Sequence, residues 1–230
     1  MCLGPGRAGF SHCLQCGRHA AVGGGLLADL VVPVSYAVRG TVLAGYLWRY
    51  KSGMRDPAAG AALGALLLVF LRDHGACLSQ PGHAVTVPGD RRAVLPPDLL
   101  AVVPSGYGRP GAHPLVRLVA PYLRLPLAGL TLRPGEQGRD LNAARFAARG
   151  RVSGARVLLL DDTWVSGASV QSAAMCLKLA GAASVTAVVL GRYLNPALPG
   201  HAAFAAGLGE TAYDPAKCAI CARNDNYSRT

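Results

Sequence analysis

The stretch Arg156 to Ser169, RVLLLDDTWVSGAS, constrains this chain more than any other. Val157 to Leu160 is a short apolar run of the kind that forms a parallel strand buried on both faces. It ends in two adjacent carboxylates, Asp161 and Asp162. A loop bearing Ser166, Gly167 and Ser169 follows, and an apolar helical pattern begins behind it. Two acids emptying into a hydroxyl- and glycine-bearing loop at a helix start suit a sugar phosphate. Carboxylates accept hydrogen bonds from a ribose diol. Loop amides and the helix N-terminus offer donors and positive dipole to a phosphate.

The flanking pattern alternates helices and strands. Residues 34–50 place Tyr36, Val42, Leu43, Tyr46, Leu47 and Tyr50 near helical spacing. A second helix is predicted over about 56–73, with Asp56 as its N-cap and Pro57 at its first position. Short strands are predicted at Ala84–Val87, at 99–104 ending in Pro104-Ser105-Gly106, and at Leu127–Leu132. Further helices are expected over 112–123 and 140–148, with a glycine-flanked loop over 133–139 between the last strand and helix. The motif strand (156–161), a helix over 168–180 and a strand at Ser184–Leu190 complete the pattern. Strands alternating with helices imply an α/β fold, a parallel sheet flanked by helices. Ligands of such sheets sit beyond the carboxyl ends of the strands. The motif loop and the Pro104-Ser105-Gly106 turn are both expected there, on one crevice.

Composition narrows the class. With 230 residues, 51% of them hydrophobic and 15% charged, the chain suits one core with small appendages. The net charge of +11 favours anionic partners, whether small phosphate esters, nucleotides or nucleic acid. It is carried almost wholly by arginine, which a GC-rich coding bias also produces. There is no basic block and no RNP-like or zinc-finger spacing, so charge alone supports nucleic-acid binding weakly. The apolar stretch Ala58–Leu71 is shorter than the ~20 residues of a membrane span and reads as a buried helix. No signal-peptide pattern opens the sequence. The expectation is a cytoplasmic protein with no membrane partner; self-association stays open.

The motif resembles the phosphoribosyl pyrophosphate (PRPP) motif of type I phosphoribosyltransferases: four apolar residues, two acids, two variable positions, then a Thr-Thr/Ser-Gly-x-Thr/Ser loop. Here that loop reads Val165-Ser166-Gly167-Ala168-Ser169, with valine where the family usually has a threonine. Loss of one hydrogen bond to a charged phosphate costs about 1.5–3 kcal/mol. Over residues 34–70, Tyr36, Arg39, Tyr50, Lys51 and Gly53 resemble the segment that precedes the transferase core in ComF-type proteins. The strand VVPSGYGR matches the position of that family's pyrophosphate loop, and LTLRPGEQGRDLNAARF resembles its arginine- and glutamine-bearing stretch. The family's Arg-Gly-Phe-Asn step is replaced by Gly111-Ala112-His113-Pro114.

The resemblance implies a type I phosphoribosyltransferase-like sheet over 31–195, a cysteine-containing segment over 1–30 and a tail over 196–230. It implies binding of PRPP or a ribose 5-phosphate with magnesium, and transfer of the phosphoribosyl group to an acceptor the residues do not identify. Asp161 and Asp162 would take the ribose hydroxyls, as catalytic and binding residues. Val165, Ser166, Gly167, Ala168 and Ser169 would cradle the 5-phosphate. Ser105 and Gly106 would face the pyrophosphate, or form a plain turn. Arg133 or Arg139 would close over it, or remain solvated loop charges. Among six scattered histidines, His113 alone lies beside the proposed pyrophosphate loop. Two rivals remain: a nucleotide-binding regulatory protein without transfer, and an accessory factor for DNA uptake.

Seven cysteines include two Cys-x-x-Cys knuckles, Cys13/Cys16 and Cys218/Cys221. Tetrahedral zinc wants four thiolates, commonly as such pairs, and the termini of compact domains are often close. The expectation is one structural zinc site shared by Cys13, Cys16, Cys218 and Cys221, with Cys2 as a substitute ligand; free thiols or disulfides are the alternatives. Cys176 is expected to be buried and inert, and Cys77 shows no partner.

Overall fold

The computed structural model describes residues 3–5, 13–51, 56–78, 97–105, 113–134, 138, 140–208 and 213–221. Its elements run α1 (Leu14–Gly23), β1 (Leu30–Val38), α2 (Val42–Lys51), α3 (Pro57–His74), β2 (Leu99–Val102) and α4 (Pro114–Leu123). They continue with β3 (Gly129–Leu132), β4 (Phe146–Arg149), β5 (Arg156–Trp164), α5 (Ala168–Leu179), β6 (Ser184–Leu194) and α6 (His201–Gly207). The predicted strand at Ala84–Val87, together with Gly53, Gly106, Arg139, Cys2, His12 and His83, lies outside the described residues.

Four strands form a parallel sheet in the order β1-β6-β5-β2. The centre is the apolar run that the motif announced: Val157, Leu158, Leu159 and Leu160 are all buried. Successive strand residues point to opposite faces, and the core divides accordingly. Val157, Leu159, Val185 and Ala187 pack on one face with α5 and the β3–β4 ribbon. Leu158, Leu160, Val188 and Leu190 pack on the other with α2, α3 and α4. The mixed α/β architecture with a helix-flanked parallel sheet is therefore as expected.

Three expected elements differ. Residues 34–50 are not one helix: β1 occupies Leu30–Val38, the chain turns through Gly40 at φ +92°, and α2 starts at Val42. A strand buried on both sides has no polar alternation, so its apolar residues also fit a helical period. Pro33 is tolerated because β1 lies at the edge of the sheet among the described residues, paired with β6. Residues 140–148 are not helical either. Asn142 caps a single 3-10 turn (Ala143–Arg145) by accepting the Ala144 N–H at 2.8 Å, and Phe146–Arg149 then pairs antiparallel with β3. Leu127 adds a parallel bridge to Leu100 on the open side of β2. The third difference is α1, a ten-residue helix where no element is predicted, and Cys16 on it packs into the α5-side core.

Asp56 and Pro57 do start a helix: the Asp56 carboxylate accepts the Ala59 N–H at 2.9 Å. With the 3-10 turn that follows, this apolar helix reaches Leu78, 22 residues in all. By length and composition it is long enough to cross a membrane, which corrects the shorter span expected from sequence. In this fold its Leu63, Leu67 and Phe70 are packed in the core.

Candidate functional site

Strand β5 continues through the acidic pair to Trp164, because β6 runs beside it as far as Arg192. Asp161 is aligned with Val189, and Thr163 with Gly191. On the other side the ladder ends where the Val103 N–H donates to the Leu160 carbonyl at 2.9 Å. Pro104 and Ser105 therefore leave β2 beside Asp161, so the two strand ends expected to converge are neighbours.

Asp162 is 6% exposed and is held by Lys51, the last residue of α2, with Nζ 2.7 Å from its Oδ1. Asp161 Oδ1 accepts the Asp162 backbone N–H at 2.8 Å. Burial of its carboxyl, and then the negative charge of Asp162, push the Asp161 pKa up to about 8; Lys51 and the Asp162 N–H offset this only in part. The pair thus holds a proton at neutral pH that two exposed aspartates would release.

The loop after β5 is built from below. The Trp164 ring is buried directly under Gly167, where any Cβ would overlap it. Gly167 has φ +84°, a left-handed conformation that glycine adopts without penalty. The Arg192 guanidinium, also buried, donates from Nη1 to the carbonyls of Val165 at 2.6 Å, Trp164 at 3.2 Å and Tyr193 at 3.3 Å. Leu3–Pro5 passes over this end: a Cβ on Gly4 would touch Arg192 Nε, and Tyr36 donates its hydroxyl hydrogen to the Leu3 carbonyl at 2.6 Å. Among the described residues no hydrogen bond uses the N–H of Val165, Ser166 or Gly167. Ser166 Oγ accepts the Ala168 N–H at 3.3 Å, starting α5. The segment Val165 to Ser169 thus runs from the end of β5 into the first turn of α5, with Val165 61% exposed.

Other expected residues are elsewhere. Arg133 donates from Nε to the Phe146 carbonyl at 3.1 Å. It lines a cavity of about 370 Å³ with Cys176 and Leu179, on the flank of α5. Cys176 is eight residues into that helix, roughly 12 Å from its N-terminus, so Arg133 is not at the strand ends. Its guanidinium sits beside the Cys176 thiol, which burial raises above its ordinary pKa. His113 caps α4, its Nδ1 accepting the Leu115 N–H at 3.2 Å. Lys51 is the residue sequence reasoning missed as a site member: nothing local links it to Asp162.

The expected zinc set is also corrected. Cys13 and Cys16 pack on the α5-side core, whereas Cys218 and Cys221 pack on the α3-side core, so the sheet separates the knuckles. Cys218 and Cys221 instead meet His74 and Cys77, and the four ligand atoms all lie within 4.8 Å of one another. This group could hold a metal ion such as zinc. Burial, then the neighbouring Cys218 and Cys221, push the Cys77 thiol up to about 12. His74-x-x-Cys77 was the legible signal, a ligand pair at the same i, i+3 spacing as a Cys-x-x-Cys knuckle.

No protein-family model matches the chain, and no curated protein is significantly similar to it in sequence.

Proposed function

We propose that the crevice at the carboxyl ends of β2 and β5 binds a ribose 5-phosphate ester, PRPP foremost. On this reading the chain is a cytoplasmic protein of phosphoribosyltransferase type. The observation that carries the reading is one adjacency: two carboxylates, three uncommitted loop amides and the α5 N-terminus gather where parallel strands end. Amides and helix dipole suit the 5-phosphate. The carboxylates of Asp161 and Asp162 suit the ribose diol. Ser105, beside Asp161, suits the diphosphate. Transfer breaks the bond between ribose C1 and the diphosphate oxygen as an acceptor attacks C1. Positioning and electrostatics supply most of such a rate.

The donor set fits magnesium. Carboxylate oxygens are its preferred ligands, and Asp161 and Asp162 supply them side by side. Asp161 and Asp162 would hold the ion with the diphosphate, where it supplies positive charge against the leaving group. Lys51 orients Asp162 through their ion pair. Arg192 holds the loop carbonyls inward, so that the amides face the phosphate.

A second reading, nucleotide binding without transfer, draws on two observations. Val165 contributes no hydroxyl, and Arg133 lies on the flank of α5 rather than over the strand ends. Calorimetric titration of PRPP with magnesium into wild type and Asp161→Asn/Asp162→Asn tests the site. Saturable binding that the variant loses is expected, and a folded wild type that fails to bind PRPP overturns the proposal. Pyrophosphate release across a panel of bases then separates transfer from binding alone.

A further inference from the structure

We propose that His74, Cys77, Cys218 and Cys221 form a tetrahedral structural zinc centre that fastens the C-terminal segment 213–221 across the foot of α3. The ligands come as two pairs. His74 is the last residue of α3 and Cys77 lies in the 3-10 turn behind it; Cys218 and Cys221 flank one turn of the tail. His74 Nδ1 lies 3.9 Å from the sulfurs of both Cys77 and Cys221. Zinc bonds of ~2.3 Å to sulfur and ~2.1 Å to nitrogen set tetrahedral edges of about 3.6–3.8 Å. The cluster therefore closes on an ion by moving its atoms about 1 Å or less.

Three details fit the metal rather than a chance gathering of thiols. First, His74 Nε2 lies 2.9 Å from the Pro215 carbonyl oxygen. A carbonyl only accepts, so Nε2 carries the hydrogen and the Nδ1 lone pair faces the sulfurs, the tautomer a ligand needs. Second, the tail aims amides at sulfur: the Cys218 N–H points to Cys221 Sγ at 3.0 Å, and the Cys221 N–H to Cys218 Sγ at 3.4 Å. Such bonds stabilise thiolate charge. Third, four protein ligands leave no open position, and His74 and Cys218 are each 4% exposed. A closed site of three thiolates and one imidazole is structural, and soft sulfur donors select zinc over magnesium or calcium.

The centre does what the tail's own contacts do weakly. Residues 213–220 form no helix or strand; Cys218 is buried in the α3-side core, and Ile220 and Cys221 pack partly buried against it. Zinc would join that segment to α3 across most of the chain's length.

The test is the zinc content of the full chain, purified without a metal-affinity tag from zinc-supplemented culture. One equivalent is expected to disappear in Cys218→Ser and in Cys77→Ser, whether or not Cys13 and Cys16 are also serine. Cobalt(II) added to apo wild type should give the intense visible bands of a tetrahedral thiolate site, lost in Cys77→Ser. That half-buried substitution carries the test if Cys218→Ser fails to fold. Full zinc retention in Cys77→Ser, or a wild type that takes up neither metal, would overturn the proposal.

Discussion

Lys51 at the end of α2 and Asp162 on β5 form an ion pair of 2.7 Å at the mouth of the proposed site. The two partners are unequally placed: the Lys51 side chain is 40% exposed and that of Asp162 only 9%. Removing the lysine leaves a buried carboxylate without its cation. Lys51→Met should destabilise the fold by about 1–2 kcal/mol, between the values for exposed and fully buried pairs. Lys51→Met/Asp162→Asn should recover part of that loss. Urea denaturation of these two variants and of Asp162→Asn alone measures it, and additive losses would show that the two residues are not coupled.

Asp161 ties stability to pH. Its folded pKa of about 8 stands above the unfolded value of ~3.9. The folded state therefore binds the proton more tightly, and this contribution is complete below about pH 4. It is lost as pH rises through about 8. Wild type should lose melting temperature relative to Asp161→Asn between pH 5 and pH 8. With solvent screening of a half-buried group, the divergence should be on the order of 5 °C. Parallel melting curves across that range would place the Asp161 carboxyl in an ordinary, solvated setting.

Gly167 is the point where the loop has no room. Its positive φ and the Trp164 ring beneath it both oppose a side chain. Gly167→Ala should cost about 2–4 kcal/mol, the sum of strain and forced displacement of a packed ring. The second tryptophan, Trp48, is 62% exposed, so in a Trp48→Phe background the emission reports Trp164 alone. A red shift on Gly167→Ala is expected, and an unchanged spectrum would mean that the ring does not support the loop.

Arg192 tests whether loop geometry matters for binding. Arg192→Leu leaves three carbonyls without their shared donor, in a region where unmade hydrogen bonds cost about 1–3 kcal/mol each. Since no ligand atom need touch Arg192, its loss should weaken PRPP binding about tenfold through the loop position alone. Arg192→Lys should restore binding in part. Calorimetry on folded variants checks this, and unchanged affinity in Arg192→Leu would detach the loop carbonyls from the site.

The local chemistry of this chain was legible where one short segment contains all its own causes. Val157 to Leu160 is apolar enough to demand burial, and Gly167 permits the turn into α5. Asp56 and Pro57 announced α3 in the same way, because capping acts within one helical turn. What tertiary structure decided are the relations between segments. Leu30–Val38 became a strand because β6 offered it a full ladder, although its apolar spacing also matched a helix. Phe146–Arg149 became a strand because β3 was there to pair with it. Lys51 reached Asp162, and His74 and Cys77 met Cys218 and Cys221, because packing on one face of the sheet brings together residues that no local periodicity connects. The same sheet keeps Cys13 and Cys16 apart from that group, since alternate residues of its strands build two separate cores.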